Sequence, residues 1–227
     1  MITGTRNLFL GLCLFVSVSA SSAQTVSAVL DRMDKAAPSF HTMSAKLQMV
    51  TFTKVLDDKT VESGTLQMQK LRANDVRAII EFTGQSDPRT IGFLGKKVRI
   101  YYPKLREYQE QDLGKYSNVL NSFLLLGFGS SGKELAQNYD IQLGQPEKVA
   151  GVDTAKLLLV PKDAAAREKL QKAEIWVPND GANPVQQQFY EPSGNYRLVT
   201  YSDMTVNPPM KATLDLKLPP GTKRQSQ

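Results

Sequence analysis

Through much of the stretch from residue 45 to residue 102 the apolar side chains of this chain recur at every second position. Ala45, Leu47 and Met49 alternate with polar neighbours; Leu66 and Met68 alternate with Gln67 and Gln69. Val76, Ala78, Ile80 and Phe82 do the same with Arg77 and Glu81. Successive side chains of a strand point to opposite faces, so this period marks strands with one buried and one wet face. Ile91 and Phe93 continue the series, followed by Val98, Ile100 and Tyr102 after a Gly95-Lys96 turn and by 106–112 after Pro103-Lys104. Further strands are expected at 139–143, 154–160, 173–177, 185–191, 197–201 and 213–218. Short turns join antiparallel neighbours, whereas parallel strands need long crossovers, so the pattern predicts a meander. So many strands cannot all be edges, and the sheet must curl into a barrel or bend strongly.

Three segments break the period. Val26, Val29, Leu30 and Met33 fall at helical spacing and Pro38 closes the run, which predicts an amphipathic helix over 25–36. Residues 116–138 form an insert. Val119, Leu120, Phe123, Leu124, Leu125 and Leu126 are apolar almost all round, a glycine-rich stretch (127–132) follows, and a short polar helix (133–138) ends it. The glycine-rich stretch reads as a flexible hinge of the kind a movable lid needs. One or two helical turns are expected over 164–171, and 221–227 are expected to fray. The fold class is therefore mainly β with few helices (α+β), the early helix and the insert covering the concave side of the sheet.

The first 23 residues read as a secretory signal. Arg6 supplies the positive start, 8–18 the apolar core, and small residues lead to cleavage after Ala23, or else after Ala20. The apolar run is shorter than the roughly 20 residues a membrane span needs. Cys13 follows Leu12 inside that core, which does not suit a lipid anchor, so the expected mature chain has no cysteine and no disulfide. Removing 23 of the 227 residues leaves 204, enough for a single domain over 24–227, and losing Arg6 takes the formal charge from +6 to +5. The expected destination is the periplasm.

Several chemistries lack their materials. With a single histidine, His41, and no cysteine after the signal, zinc sites and Ser-His or Cys-His catalysis are not expected, nor is any other cofactor, and the chain does not read as an enzyme. Glu107, Glu110 and Asp112 read as a solvated strand edge. Gly127-Phe-Gly-Ser-Ser-Gly132-Lys133-Glu134 matches a dinucleotide fingerprint letter for letter and misses a P-loop by one residue. Glu134 stands where that loop needs Ser or Thr, and the flanking chain is meander, so no nucleotide is expected. Lys96, Lys97, Arg99, Lys104 and Arg106 surround one hairpin without the aromatic interleaving of a nucleic-acid face; they read as a solvated or docking patch, and no nucleic acid is expected.

The order of these segments carries a resemblance. Pro38-Ser-Phe-His-Thr-Met43 follows the early helix; Gly64-Thr-Leu-Gln-Met-Gln-Lys70 and Gly95-Lys-Lys-Val-Arg-Ile-Tyr-Tyr-Pro-Lys104 come next. Asn121-Ser-Phe-Leu-Leu-Leu-Gly-Phe-Gly129, Lys156-Leu-Leu-Leu-Val-Pro161, Ala173-Glu-Ile-Trp-Val177 and Gln186-Gln-Gln-Phe189 complete it. In this order and spacing the chain resembles the outer-membrane lipoprotein carriers, the LolA-like sorting proteins. The resemblance implies a half-open antiparallel β-barrel covered by an N-terminal helix and a helical lid, whose cavity takes acyl chains from an inner-membrane transporter and passes them to an outer-membrane acceptor. The family's functional arginine would fall at Lys70, where a lysine keeps the charge and loses the planar fork. The expected lipid-binding residues are Leu66, Met68, Lys70, Ile80, Phe82, Ile91, Phe93, Val98, Ile100, Tyr102, Phe123, Leu124, Leu126 and Phe128, in a monomer. Trp176 and Phe189 are expected in the core. A second function stays open, a sensor of the same fold that binds stray lipid and docks an inner-membrane signalling protein.

Overall fold

A computed structural model describes residues 24–72, 75–84, 87–112, 126–210 and 212–225. The expected signal peptide and much of the apolar insert, including Phe123 and Leu124, lie outside the described residues.

Thirteen strands form one open sheet among the described residues. Strands β1 (Thr42–Thr53), β2 (Asp58–Arg72), β3 (Asp75–Phe82), β4 (Arg89–Leu94), β5 (Lys97–Tyr102) and β6 (Glu107–Asp112) form a first meander. A second runs through β7 (Tyr139–Leu143), β8 (Glu147–Val149), β9 (Val152–Pro161), β10 (Lys172–Pro178), β11 (Gln186–Tyr190) and β12 (Tyr196–Val206), and a short β13 (Lys223–Arg224) follows. The order is β13-β6-β5-β4-β3-β2-β1-β12-β11-β10-β9-β7, with β8 beside β9. All pairs are antiparallel except β13 with β6. The two meanders meet where β12 pairs with β1, Leu47 opposite Tyr201 and Met49 opposite Val199.

Helix α1 (Val26–Ala36) starts on Thr25, whose hydroxyl oxygen accepts from the Ala28 amide at 3.1 Å. It ends in a 3-10 turn that contains Pro38. Its buried face, Val29 and Met33, joins Leu135 of α2 (Gly132–Asn138) in one core with Leu157, Leu159, Ala173, Ile175 and Val177. A second core gathers Phe40, Met43, Leu66, Met68, Val76, Phe82, Phe128 and Tyr201 on the first meander. A third helical turn, α3 (Ala164–Arg167), links β9 to β10.

Three expectations are corrected. Residues 213–218 are not a strand. They run extended across the outer face of β2 to β5, where the Leu214 amide donates to Gln69 Oε1 at 2.7 Å and the Leu214 and Leu216 carbonyls accept from Arg77 and Arg99. Their period of two is real, but Gln69, Arg77 and Arg99 side chains have taken the place of a neighbouring strand. Of the next segment, the described residues 221–225 do not fray: Lys223 and Gln225 amides donate to the Arg106 and Tyr108 carbonyls at 2.9 Å, so β13 covers the β6 edge. The glycine-rich stretch is packed rather than hinged. Leu126, Phe128 and Ser130 are buried, and a Cβ on Gly129 or Gly132 would run into the Phe40 ring or the Leu30 carbonyl. Gly129 and Gly132 permit this close approach, and Gly127 and Gly129 also hold the positive φ angles, 84° and 59°, that favour glycine.

Candidate lipid-binding cavity

One cavity of about 450 Å³ lies on the inner face of the sheet. Directly opposed residues in neighbouring strands share a face, so the register places its walls in rows. One row runs Tyr201, Leu47, Gly64, Phe82, Arg89 across five strands; the next runs Leu66, Ile80, Ile91. A third runs Gln187, Val199, Met49, and Met68 and Phe93 flank Ala78 in a fourth. Gly64 lacks a side chain where one would collide with the Glu81 carbonyl, which lets β2 and β3 close up inside the first row. Strands β4 and β11 stand five spacings apart, about 24 Å on a flat sheet. Both line the same cavity, so the sheet is strongly curved around it.

The walls are apolar and the rim is charged. Twelve of the seventeen lining residues are aliphatic, methionine or aromatic; the other five are Arg89, Lys169, Gln187, Glu191 and Arg197. Arg89 is committed to the protein itself: it holds Glu62 through two bonds of 2.6 and 2.9 Å, reaches Asp87 at 3.1 Å and lies 4.5 Å from the centre of the Phe82 ring. Its hydrogen bond to Glu62 raises the Arg89 pKa, against a smaller opposing effect of burial. Arg197 pairs with Glu191 at 3.1 Å. Gln187, 2% exposed, accepts from the Tyr201 hydroxyl at 2.6 Å and donates to the Leu126 carbonyl. Burial drives the Tyr201 phenol pKa up, so its hydroxyl stays a donor. This buried bridge ties the cavity floor to the glycine-rich stretch. Lys70 adds a second tie, its ammonium donating to the Gly129 carbonyl at 2.7 Å.

Of the residues singled out in the sequence, Leu66, Met68, Ile80, Phe82, Ile91 and Phe93 come together around the cavity. Val98 and Ile100 lie opposite Phe93 and Ile91 and carry the same face one strand further, and Tyr102 follows them by alternation; none of the three lines the cavity. Lys70 does not line it either. Leu126 sits in the core under α1, and Phe128, fully buried, meets Tyr201 edge-on with ring centres 5.1 Å apart. Trp176 is buried, its indole N–H donating to Glu147 at 2.8 Å. Phe189 does not stay within the core: it packs against the core and also lines the cavity. The sequence pattern had not singled out Leu47, Met49, Leu170, Gln187, Val199 or Tyr201 as site residues, nor the four charges of the rim. Alternation alone marks Leu47 and Met49 as inward, but a glutamine among apolar residues gives no such signal.

The other polar residues fall elsewhere. His41 is exposed, its backbone amide donating to Asn207 Oδ1 and its carbonyl accepting from the Lys70 amide. Glu110 is not on a solvated edge: Arg99 at 2.6 Å and Lys97 at 3.1 Å hold it and, in that order, keep its carboxyl below the usual range. Two charges of the expected basic patch, Arg99 and Lys97, are thereby paired with Glu110.

Neither a protein-family model nor a curated protein matches the sequence. Solved structures do match. An uncharacterised conserved protein from Thermus thermophilus is 12% identical, with 89% of this chain and 99% of that one covered and a TM-score of 0.52. LprF from Mycobacterium bovis is 12% identical over 86% and 95% of the two chains, with a TM-score of 0.48. A LolA superfamily protein from Nitrosomonas europaea is 16% identical over 83% and 96%, at 0.38. The chain thus shares the fold of the Thermus thermophilus protein, and LolA superfamily proteins stand among the structures it matches.

Proposed function

We propose that this chain is a periplasmic carrier that shelters hydrocarbon of a lipoprotein or related lipid in the inner-face cavity and moves it toward the outer membrane. The single observation that carries the reading is that cavity, apolar on its walls and charged only at its rim. Left empty, these apolar walls face the open mouth, and a guest hydrocarbon that covers them gains about 25 cal/mol per Å² of apolar surface taken from water. Methionine walls, Met49 and Met68, adapt to guests of different shape. The ties from Lys70 and Gln187 hold the end of the insert beside the cavity, as a cover over bound chains requires. A donor in an inner-membrane transporter and an acceptor at the outer membrane complete the route, and the chain acts as a monomer without cofactor.

The test is direct. The protein purified from its exported form is extracted with organic solvent, and the extract is read by mass spectrometry. A bound acyl lipid, together with uptake of a fluorescent acyl probe by the delipidated protein, is the expected result. A lipid-free extract and no probe uptake would overturn the reading.

A further inference from the structure

The rim and the size of the cavity specify more than "lipid". Arg89 is saturated by Glu62 and Asp87, and Arg197 is engaged by Glu191. Lys169 is different. It is exposed, lines the cavity mouth, and makes no side-chain hydrogen bond or ion pair among the described residues. Its position is fixed by its neighbour: Leu170, 3% exposed, is anchored in the core and lines the same cavity, while both backbone amides donate to the Ala166 carbonyl. A lysine backbone is therefore anchored at the lip of an apolar cavity, its side-chain charge without an ion-pair partner among the described residues.

The volume limits what lies beneath it. A methylene occupies about as much room as a water molecule in the liquid, roughly 30 Å³. The 450 Å³ then encloses about 15 of them, one acyl chain of ordinary length, and any further chain would lie in the open mouth. We infer that the cavity takes an amphiphile with one hydrocarbon chain and an anionic head, the chain among the apolar walls and the head beside Lys169. This rests on the reading that the cavity holds hydrocarbon. The head is a carboxylate or a phosphate, both of which an ammonium satisfies as a point charge.

The experiment measures displacement of a fluorescent acyl probe from the delipidated protein at low ionic strength. Competitors are alkyl carboxylates of roughly 10 to 18 carbons, bracketing the length set by the volume, with hexadecyl phosphate, hexadecanol and a two-chain phosphatidate. Carboxylate affinity is expected to rise about fourfold per methylene and to level off near 15 carbons. Both anions are expected to bind threefold to tenfold more tightly than hexadecanol, and the stronger of the two names the head. In Lys169→Glu that preference disappears, and added salt erodes it in the unchanged protein. Hexadecanol binding as tightly as the anions, or phosphatidate competing as well as the single chains, overturns this inference and leaves the carrier reading standing. Failure of every competitor and of the probe removes the carrier reading itself.

Discussion

Filling the cavity from within separates a guest site from an ordinary core. Ile80 and Val199 line it from strands three spacings apart and are only partly buried. Each tryptophan placed there takes the room of about two or three methylenes, so Ile80→Trp with Val199→Trp removes space for about five. At about 0.8 kcal/mol per methylene the pair removes about 4 kcal/mol of chain burial, roughly a thousandfold in affinity. The whole chain of about 15 methylenes gains about 12 kcal/mol gross, before the cost of association. Stability moves the other way. New aromatic surface buried in empty room leaves the melting temperature unchanged or raised, whereas overpacking a full core costs about 1–3 kcal/mol per site. The assay is acyl-probe titration alongside thermal unfolding of the same variant. Undiminished probe affinity, or a double variant destabilised like an overpacked core, refutes the claim that this hollow is room for a guest.

Four further outcomes follow from the geometry. Lys70→Met removes a charged donor from the Gly129 carbonyl, which should cost about 1.5–3 kcal/mol locally and raise amide exchange at 127–132 at least tenfold; Lys70→Arg should restore most of the protection. Gly132→Ala forces a methyl group into the Leu30 carbonyl and should destabilise the α1–α2 contact by more than 2 kcal/mol, read as a lower urea midpoint. Burial pushes the Tyr139 phenol up to about 12 from an ordinary 10. A group raised in the folded state stabilises below its unfolded value, so about 3 kcal/mol is lost as pH climbs from 10 to 12, and Tyr139→Phe should flatten that stretch of the stability curve. The Glu110 carboxyl is lowered by Arg99 and Lys97, so its contribution is present above the ordinary carboxylate range and fades as pH falls below it; Glu110→Gln should lessen the acid loss in the melting temperature.

The meander was legible because its signal is local. Alternation of Leu66, Met68, Ile80 and Phe82 fixes both strand and face, and cross-strand register then brings four such residues to one cavity wall. Alternation fails at 213–218 for an instructive reason: the same period arises when an extended segment lies over a sheet and bonds to its side chains. Glycines misled as well, since Gly129 and Gly132 are needed for tight approach to Phe40 and Leu30, partners about 90 to 100 residues away in the chain. The rim was invisible for a similar reason. Lys169 reads as one more surface charge until Leu170 is seen to anchor it at the mouth, and Arg197 becomes a rim residue only because β12 joins the two meanders.

The segment crossing the outer face has a mechanical consequence. It leaves β12 through Asn207, Pro208 and Pro209, is pinned at Leu214 and Leu216, and reaches β6 beyond Pro219 and Pro220, where Arg106 holds the Pro220 carbonyl at 3.0 Å. Prolines make it stiff, and its ends are fixed on the middle and the edge of the sheet. A band of constant length on the convex side goes taut when curvature increases. The wall of β3 to β6 is thereby braced against swinging inward, and on the proposed reading an empty hollow keeps its shape.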